Sequence, residues 1–399
     1  MSDIIEKYSQ IYGSPFLTGV MMGVNSIKDA ALYVDGPDCV FYKADMIYKT
    51  HDINSNLKSP SIDSKLYFSG VMPNKMVRGY DDKIKRKLSF IDENDNFNLG
   101  VITCMPVTGL LAIQYDNIYS DFKKDFVFVP SKTDKFRIDG YAALLKEIAK
   151  KIYLDKKEKQ KKHISIVGFL YDRNEGDCKG NLEEIKRLLS LIGVTIDSIW
   201  LDGGEYSNLK KIENSELIVS FSYGEQAAKI LSKRLGIDEI FLDIPFGIDS
   251  TIKFLEKIGD KLGIDKEFIQ NTIKKELNNI KTQTINLDDK IFLDKNYIYA
   301  GDPFLEKGII DIGNFLGMNH IKTYSYTGTK DVSFDRNLEK EKIDLVIGNS
   351  DFNYSGLKFE FGFPSYNSHF LTNKSYFGFV GILNFIERLY NEISNPNKI

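Results

Sequence analysis

Two of the three cysteines in this 399-residue chain follow stretches that the sequence predicts as buried strands. Cys39 comes shortly after the apolar run 30–34, and Cys104 comes directly after 99–103. Open α/β sheets bind their ligands beyond the carboxyl ends of the strands, where two thiolates could hold a soft metal. A four-iron cluster usually takes four cysteines, so two copies of the chain that meet at these loops would supply the set.

Each cysteine taken alone also fits a small buried hydrophobe. Metal binding is favoured because both cysteines are predicted at turn positions beyond strands, with Pro37 and Pro106 nearby to stiffen the loops. We interpret Cys178, which lies in a polar loop, as incidental. The aromatic pair 41–42 would shield a cluster from water, and plain core packing explains it equally well.

Apolar runs of strand length alternate with amphipathic stretches along the chain, which is typical of βαβ units and parallel sheets. The expected strands are 30–34, 99–103, 125–129, 164–170, 196–201, 217–220, 240–245, 297–300 and 344–348. Helical spacing is seen at 140–152, 182–192, up to 235, up to 316–318 and at 376–393. The sequence therefore predicts an α/β protein of three tandem Rossmann-like doubly wound parallel-sheet units.

The expected boundaries give a cluster-binding domain at 1–155, a middle domain at 163–285 and a C-terminal domain with a closing helix at 290–399. A lysine-rich stretch at 150–162 marks the first boundary. Such a stretch is typical of a solvated helix end or linker, and an electrostatic docking patch is the alternative.

The bulk properties exclude several classes of protein. A formal charge of −3 and an isoelectric point near 6.0 argue against a general nucleic-acid binder. Three cysteines are too few for a disulfide scaffold. The N-terminus lacks the pattern of a signal peptide, and no stretch approaches the ~20 apolar residues of a membrane span. We therefore expect a cytoplasmic protein without a membrane or nucleic-acid partner.

The common nucleotide-binding motifs are absent. No Gly-x-x-x-x-Gly-Lys-Ser/Thr segment occurs, so the chain is not expected to hydrolyse ATP through a P-loop. No Gly-x-Gly-x-x-Gly follows the first strand of any expected unit, so a dinucleotide fingerprint is absent as well. The four histidines include no i, i+4 pair suited to zinc.

Short motifs in order along the chain resemble the nitrogenase component 1 type oxidoreductases. Residues 35–39 (DGPDC) resemble the family's His-Gly-Pro-x-Gly-Cys, and 102–106 (ITCMP) resemble its Thr-Thr-Cys segment. Residues 14–19 resemble its opening Cys-x-Pro-Leu-x-Gly stretch. Further similar segments are 129–141, 245–251 (PFGIDST), 316–318, 361–364 (FGFP) and 376–381. The family includes subunits of the nitrogenase molybdenum-iron protein, dark-operative protochlorophyllide reductase and Ni-sirohydrochlorin a,c-diamide reductive cyclase.

The resemblance implies three Rossmann-like units around a cluster at a dimer interface. It also implies that a separate ATP-hydrolysing iron–sulfur reductase delivers low-potential electrons, which pass through the cluster to a small-molecule substrate. We expect a dimer, with itself or a similar chain, that encloses one [4Fe-4S] cluster held by Cys39 and Cys104 of each chain. Ser14 is a candidate for a weaker oxygen ligand, since the family's first cysteine position falls at residues 13–14. The candidates to deliver protons, chosen for their closeness to Cys39 in the sequence, are Asp35, Asp38, Tyr42 and His51.

Departures from the family pattern limit what the resemblance implies. Without the first cysteine, the chain lacks the ligands for an eight-iron cluster. Residues 220–222 (SFS) stand where nitrogenase has the cysteine that holds its catalytic metal cofactor, so dinitrogen reduction is not expected. Two alternatives stay open: a scaffold that builds and transfers metal clusters, and a cluster-free, non-catalytic subunit.

Overall fold

The structure, a computed structural model, describes residues 16–58, 64–76, 79–325, 342–350, 352, 354 and 356–394. Ser14 lies outside the described residues. The described strands form three sheets of four strands each. The first sheet contains β1 (Ala30–Asp35), β2 (Leu66–Phe68), β3 (Leu99–Cys104) and β4 (Asp125–Val129). The second contains β5 (Gln160–Val167), β6 (Thr195–Ile199), β7 (Ser215–Ser220) and β8 (Asp238–Phe241). The third contains β9 (Asn296–Gly301), β10 (Asn319–Ser325), β11 (Leu345–Gly348) and β12 (Lys358–Glu360).

The helices connect these strands. They are α1 (Phe16–Asn25), α2 (Cys39–Lys43), α3 (Pro73–Met76), α4 (Asp81–Glu93), α5 (Pro106–Gly109), α6 (Tyr115–Ile118), α7 (Arg137–Lys151), α8 (Gly176–Leu191), α9 (Glu225–Leu235), α10 (Ile248–Lys261), α11 (Lys266–Thr284), α12 (Glu306–Phe315) and α13 (Gly378–Ile393). Short 3-10 helices lie at Ala44–Met46, Tyr206–Asn214, Ser222–Gly224, Asp289–Ile291 and Pro303–Leu305.

All three sheets have the same strand order. The orders are β2-β1-β3-β4, β6-β5-β7-β8 and β10-β9-β11-β12. In the first sheet β1 pairs in parallel with β2 and β3, and β3 pairs in parallel with β4. The chain reverses its direction of travel across each sheet after the second strand. This arrangement confirms the expected α/β class of three Rossmann-like parallel-sheet units.

The sequence pattern explains the central strands. Every residue of β1 and of β3 is buried, as expected for strands that are covered on both faces of a parallel sheet. The expected strand 125–129 is confirmed to the residue. The expected strand 164–170 is found four residues earlier at its start and three residues earlier at its end, as β5. The strand ends at Val167 because Gly168 takes a φ of 90°, outside the β region.

The described residues divide into two compact units. One comprises 16–174 together with 196–241, and it contains the first sheet and most of the second. The other comprises 175–195 together with 242–394, and it contains the third sheet. The boundaries expected from the sequence, at 155–163 and 285–290, stay a prediction.

In the first unit, α1 and α7 approach each other through glycines. A Cβ atom added to Gly19 would lie 1.7 Å from the carbonyl oxygen of Arg137, and one added to Gly140 would lie 1.9 Å from that of Phe16. Both obstacles are backbone atoms, which cannot rotate away. The two glycines therefore let the helices pack closer than any other residue would allow.

We expect Gly140→Ala to destabilise the protein strongly. In an open helix this change stabilises by about 1 kcal/mol, because alanine is the better helix former. Here the added methyl group forces the two helices apart, which costs about 3 kcal/mol and lowers the melting temperature by roughly 10 °C. A thermal unfolding scan measures the effect, and an unchanged or higher melting temperature would contradict the described packing.

In the second unit, the start of α8 lies directly against the segment 369–377. The buried carboxylate of Glu175 accepts hydrogen bonds from His369 Nδ1 at 2.8 Å and from the Phe370 amide at 3.0 Å. Asn181 Oδ1 accepts a hydrogen bond from the Tyr376 amide at 2.7 Å. A Cβ atom on Gly176 would lie 2.0 Å from the carbonyl oxygen of Thr372, so backbone meets backbone here.

Candidate functional site

The two cysteines flank the point where the strand order of the first sheet reverses. β1 and β3 are neighbours, and Asp35 at the end of β1 lies in register with Cys104 at the end of β3. A reversal of this kind opens a crevice at the carboxyl ends of the strands, which is where open α/β sheets bind their ligands. Cys39 and Cys104 thus belong to the same edge of the first sheet.

One feature of Cys39 differs from the expectation. The predicted turn is a helix start, because Cys39 is the first residue of the short helix α2. Cys104 is the last residue of β3 and therefore lies within the strand. A helix of five residues leaves too little periodicity for the sequence to reveal it.

Hydrogen bonds join the loops at this edge. The Met105 amide and the Thr108 hydroxyl donate to the carbonyl oxygen of Asp35, at 2.8 Å and 2.6 Å. Ser69, which follows β2, bonds through its hydroxyl oxygen to the amide and carbonyl groups of Gly36, both at 2.9 Å. The segments that carry Cys39 and Cys104 are therefore fixed to each other and to the end of β2.

Lys58 holds α2 from the side. Its ammonium group lies 3.5 Å from the centre of the Phe41 ring and forms an ion pair with Asp45. The lysine side chain is almost fully buried, whereas Asp45 and the Phe41 ring are both partly open to solvent. This contact fixes the helix that begins with Cys39.

The two thiols differ in exposure. Cys39 is exposed, whereas Cys104 is 4% exposed and packs in the core of the first sheet. Burial raises the pKa of the Cys104 thiol, and the charge of the neighbouring Asp35 raises this pKa further. In the metal-free chain Cys104 is therefore held in its neutral form.

This difference predicts unequal alkylation of the cluster-free monomer. We expect iodoacetamide to modify Cys39 about tenfold faster than Cys104 or more, because only the thiolate reacts and Cys104 is both buried and protonated. Cys178, which is also buried, serves as an internal reference for access. Peptide mass spectrometry over time measures the three rates, and equal rates for Cys39 and Cys104 would contradict the described burial.

Exposed apolar side chains surround this edge of the first sheet. Tyr42 is 72% exposed and Leu110 is 85% exposed. We define the edge group as five of the most exposed apolar residues in the segments that follow β1, β2 and β3: Phe41, Tyr42, Met72, Val107 and Leu110. Exposed apolar side chains that follow neighbouring strands at the same end of a sheet make that end a candidate for a face that another protein covers.

A buried carboxylate lies beside Cys104. Asp35 is fully buried, and its Oδ2 accepts hydrogen bonds from Tyr80 Oη at 2.8 Å and from Tyr115 Oη at 2.6 Å. Burial, and then the interactions with Asp35, raise the pKa of both phenols. Oδ1 of Asp35 has no hydrogen-bond partner among the described residues.

The other expected proton donors lie in different surroundings. Asp38, directly before Cys39, and Tyr42, three positions after it, are both exposed. His51 is fully buried, and its Nε2 lies 3.6 Å from Oδ2 of Asp172 in the loop after β5. The structure therefore brings Asp35 to Cys104, leaves Asp38 and Tyr42 at the surface beside Cys39, and pairs His51 with another segment.

Tyr80 and Tyr115 were missed by the sequence analysis. They stand 45 and 80 residues after Asp35, and neither lies in a recognisable motif. Only the fold brings them together, since α4 begins directly after Tyr80 and α6 begins at Tyr115.

The described residues of one chain do not form a complete metal site. Across the ranges that the structure describes, no cluster of three or more His, Cys, Asp or Glu side chains could hold a metal ion. Two cysteines, one exposed and one buried, are half of the four thiolates that usually hold a four-iron cluster. None of the described helices combines the length and apolar character needed to cross a membrane.

Comparison with known proteins points to one family, both by its family model and by individual relatives. The model of the nitrogenase component 1 type oxidoreductases matches residues 15–394. A light-independent protochlorophyllide reductase chain of Chaetosphaeridium globosum is 24% identical over 226 residues, which cover 49% of this chain and 43% of that protein. The nitrogenase molybdenum-iron protein alpha chain of Methanothermobacter marburgensis is 25% identical over 255 residues, covering 57% of this chain and 53% of that one. The chain thus spans about half the length of these relatives.

A solved structure supports the fold. The structure titled "Nitrogenase Cp1 at pH 6.5" superimposes with a TM-score of 0.76 over 94% of this chain and 91% of the other, at 18% sequence identity. The described architecture is therefore shared across nearly the whole length of both chains.

Proposed function

Because the chain belongs to the nitrogenase component 1 type oxidoreductases, we propose that it is the substrate-reducing component of a two-component, nitrogenase-like reductase. Two chains, identical or similar, would enclose one [4Fe-4S] cluster held by Cys39 and Cys104 of each chain. A separate ATP-hydrolysing iron–sulfur reductase would supply low-potential electrons, and a small molecule would receive them.

One observation carries this proposal: two cysteines stand at the carboxyl ends of neighbouring strands, where the order of the first sheet reverses. The surrounding edge group offers an apolar surface that a second chain could cover. A cysteine pair on one chain is half of the usual ligand set, so a complete four-iron site would need two chains, and the bound cluster would in turn hold the two chains together.

The residues fit the cluster chemically. Thiolates are the ligands that iron–sulfur clusters prefer, and Cys39 is accessible to a partner chain. The raised pKa of Cys104 opposes a free thiolate, but bound iron carries positive charge and deprotonates a coordinating thiol. When bound, the cluster supplies one-electron transfer at low potential.

The chain's own residues would perform the remaining tasks. The edge group would exclude water once a second chain covers it. Asp38, directly before α2, and Tyr42, within α2, are both exposed and could move protons at this edge, since reduction needs a proton for each electron. His51 stays a weaker candidate because it is buried against Asp172. The absence of a P-loop motif agrees with ATP hydrolysis on a separate protein.

Anaerobic purification with iron, acid-labile sulfide and native mass measured together tests the proposal. About two irons and two sulfides per chain in a brown dimer support one shared four-iron cluster. Colourless protein after anaerobic reconstitution would overturn the proposal and favour the cluster-free alternative. A cluster that transfers to an apo-acceptor but is not reoxidised by any substrate would favour the assembly scaffold.

A further inference from the structure

We infer that Asp35 is a fixed negative charge beside Cys104 that lowers the reduction potential of the bound cluster, with Tyr80 and Tyr115 positioning its carboxylate and moderating its charge. This inference rests on the proposed function, because it concerns the cluster that Cys104 would hold. In this inference Asp35 acts through its charge and is not a ligand, and Tyr80 and Tyr115 are the positioning residues.

Geometry places the carboxylate next to the ligand. Asp35 and Cys104 are register partners on parallel strands, whose backbones lie about 4.8 Å apart. Side chains in register on neighbouring strands emerge on the same face of the sheet. Cys104, Tyr80 and Tyr115 also belong to one buried group of side chains on this face.

Both side-chain hydrogen bonds to the Asp35 carboxylate are accepted by the same oxygen. Two phenols donate to Oδ2, at 2.8 Å and 2.6 Å, whereas Oδ1 has no partner among the described residues. A fully buried carboxylate with one unpaired oxygen keeps much of its field, because little water screens it. No cation in the described hydrogen bonds and ion pairs neutralises Asp35.

The direction of the effect follows from electrostatics. Reduction adds an electron to the cluster, and a nearby negative charge disfavours the added charge. Removing the charge should therefore raise the potential. Removing a phenol that donates to the carboxylate should leave the charge less compensated, and so lower the potential. Hydrogen bonding and nearby charge are known to tune iron–sulfur potentials.

The test is a redox titration of the anaerobically purified dimer, monitored by electron paramagnetic resonance. For Asp35→Asn we expect a positive shift in midpoint potential that changes the ratio of reduced to oxidised cluster at least tenfold, or about 59 mV for one electron. For Tyr115→Phe and Tyr80→Phe we expect shifts of opposite sign. A merely structural role would not move the potential in opposite directions for the two kinds of variant.

Asp29→Asn provides the matched control. Asp29 is a buried carboxylate just before β1, six positions before Asp35 and hence about 20 Å away along the strand. It accepts hydrogen bonds from the Tyr206 amide and the Asn98 side chain, both at 2.7 Å. We expect no shift in this variant.

The possible outcomes distinguish a failure of the inference about Asp35 from a failure of the proposed function. Wild-type protein without a cluster overturns both. A wild-type cluster whose potential is unchanged in Asp35→Asn, or moves equally in Asp29→Asn, overturns only the inference. An Asp35→Asn protein with less iron and an altered cluster spectrum would mean that Asp35 is itself a ligand, which also overturns it.

Discussion

Cys39→Ala is expected to lower the iron content of the anaerobically purified protein from about two atoms per chain to background. The change removes one thiolate from each chain of the dimer, so a shared cluster loses half of its cysteine ligands. Because Cys39 is exposed, its thiol contributes little to packing, and the melting temperature should stay within about 2 °C of that of the wild-type protein stripped of its cluster. Iron and sulfide assays and a thermal scan measure both quantities.

Cys104→Ala and Cys178→Ala complete this series. Cys104→Ala should also abolish iron binding, with a modest loss of stability because the side chain is buried. Cys178→Ala removes an equally buried thiol from the other unit and should keep the full iron content. Full iron in both the Cys39 and Cys104 variants would overturn the ligand assignment.

Leu110→Glu is expected to convert the proposed dimer into a monomer at micromolar concentration. Leu110 is 85% exposed in the chain alone and stands directly after α5, close in sequence to Cys104. An apolar side chain that becomes buried at an interface contributes about 2 kcal/mol, and a buried unpaired carboxylate costs more. We expect the dissociation constant of the dimer to rise about 100-fold or more, measured by analytical ultracentrifugation.

Leu371→Glu is the matched control for this change. Leu371 is 87% exposed, nearly the same fraction as Leu110, but it lies outside the edge group and in the other unit. The dimer should survive this variant unchanged. A dimer that tolerates Leu110→Glu, or that dissociates equally in both variants, would mean that the edge group is not the interface.

The fold was predictable where strands are continuous apolar runs. The runs that became β1, β3 and β4 differ from the expected bounds by at most one residue, because burial on both faces leaves a clear apolar signal. β2 and β12 are three residues each, too short to stand out. β10 was missed because Asn319–Ser325 is largely polar.

The positions of the two cysteines in the fold were predictable in the same way, whereas their role as ligands stays a prediction. Position after a strand is readable along the chain, and that was enough to place Cys39 and Cys104 at one edge of a sheet. Contacts between distant segments are not readable in this way. Nothing local connects Asp35 with Tyr80 and Tyr115, or His51 with Asp172, and these pairs depend on how the loops return. Ser14 lies outside the described residues, so its role stays a prediction.

α8 belongs to the same compact unit as residues 242–394, and this limits when α8 can pack while the protein is being synthesised. The backbone partners of its first turns lie near residue 372, about 195 positions further along the chain. At 5–20 residues per second, a ribosome needs on the order of 10–40 s to produce them. Once residue 241 has been made, the unit of 16–174 and 196–241 has all of its chain, whereas α8 still lacks its partners. The unit that carries Cys39 and Cys104 can therefore fold before α8 has a surface to pack on.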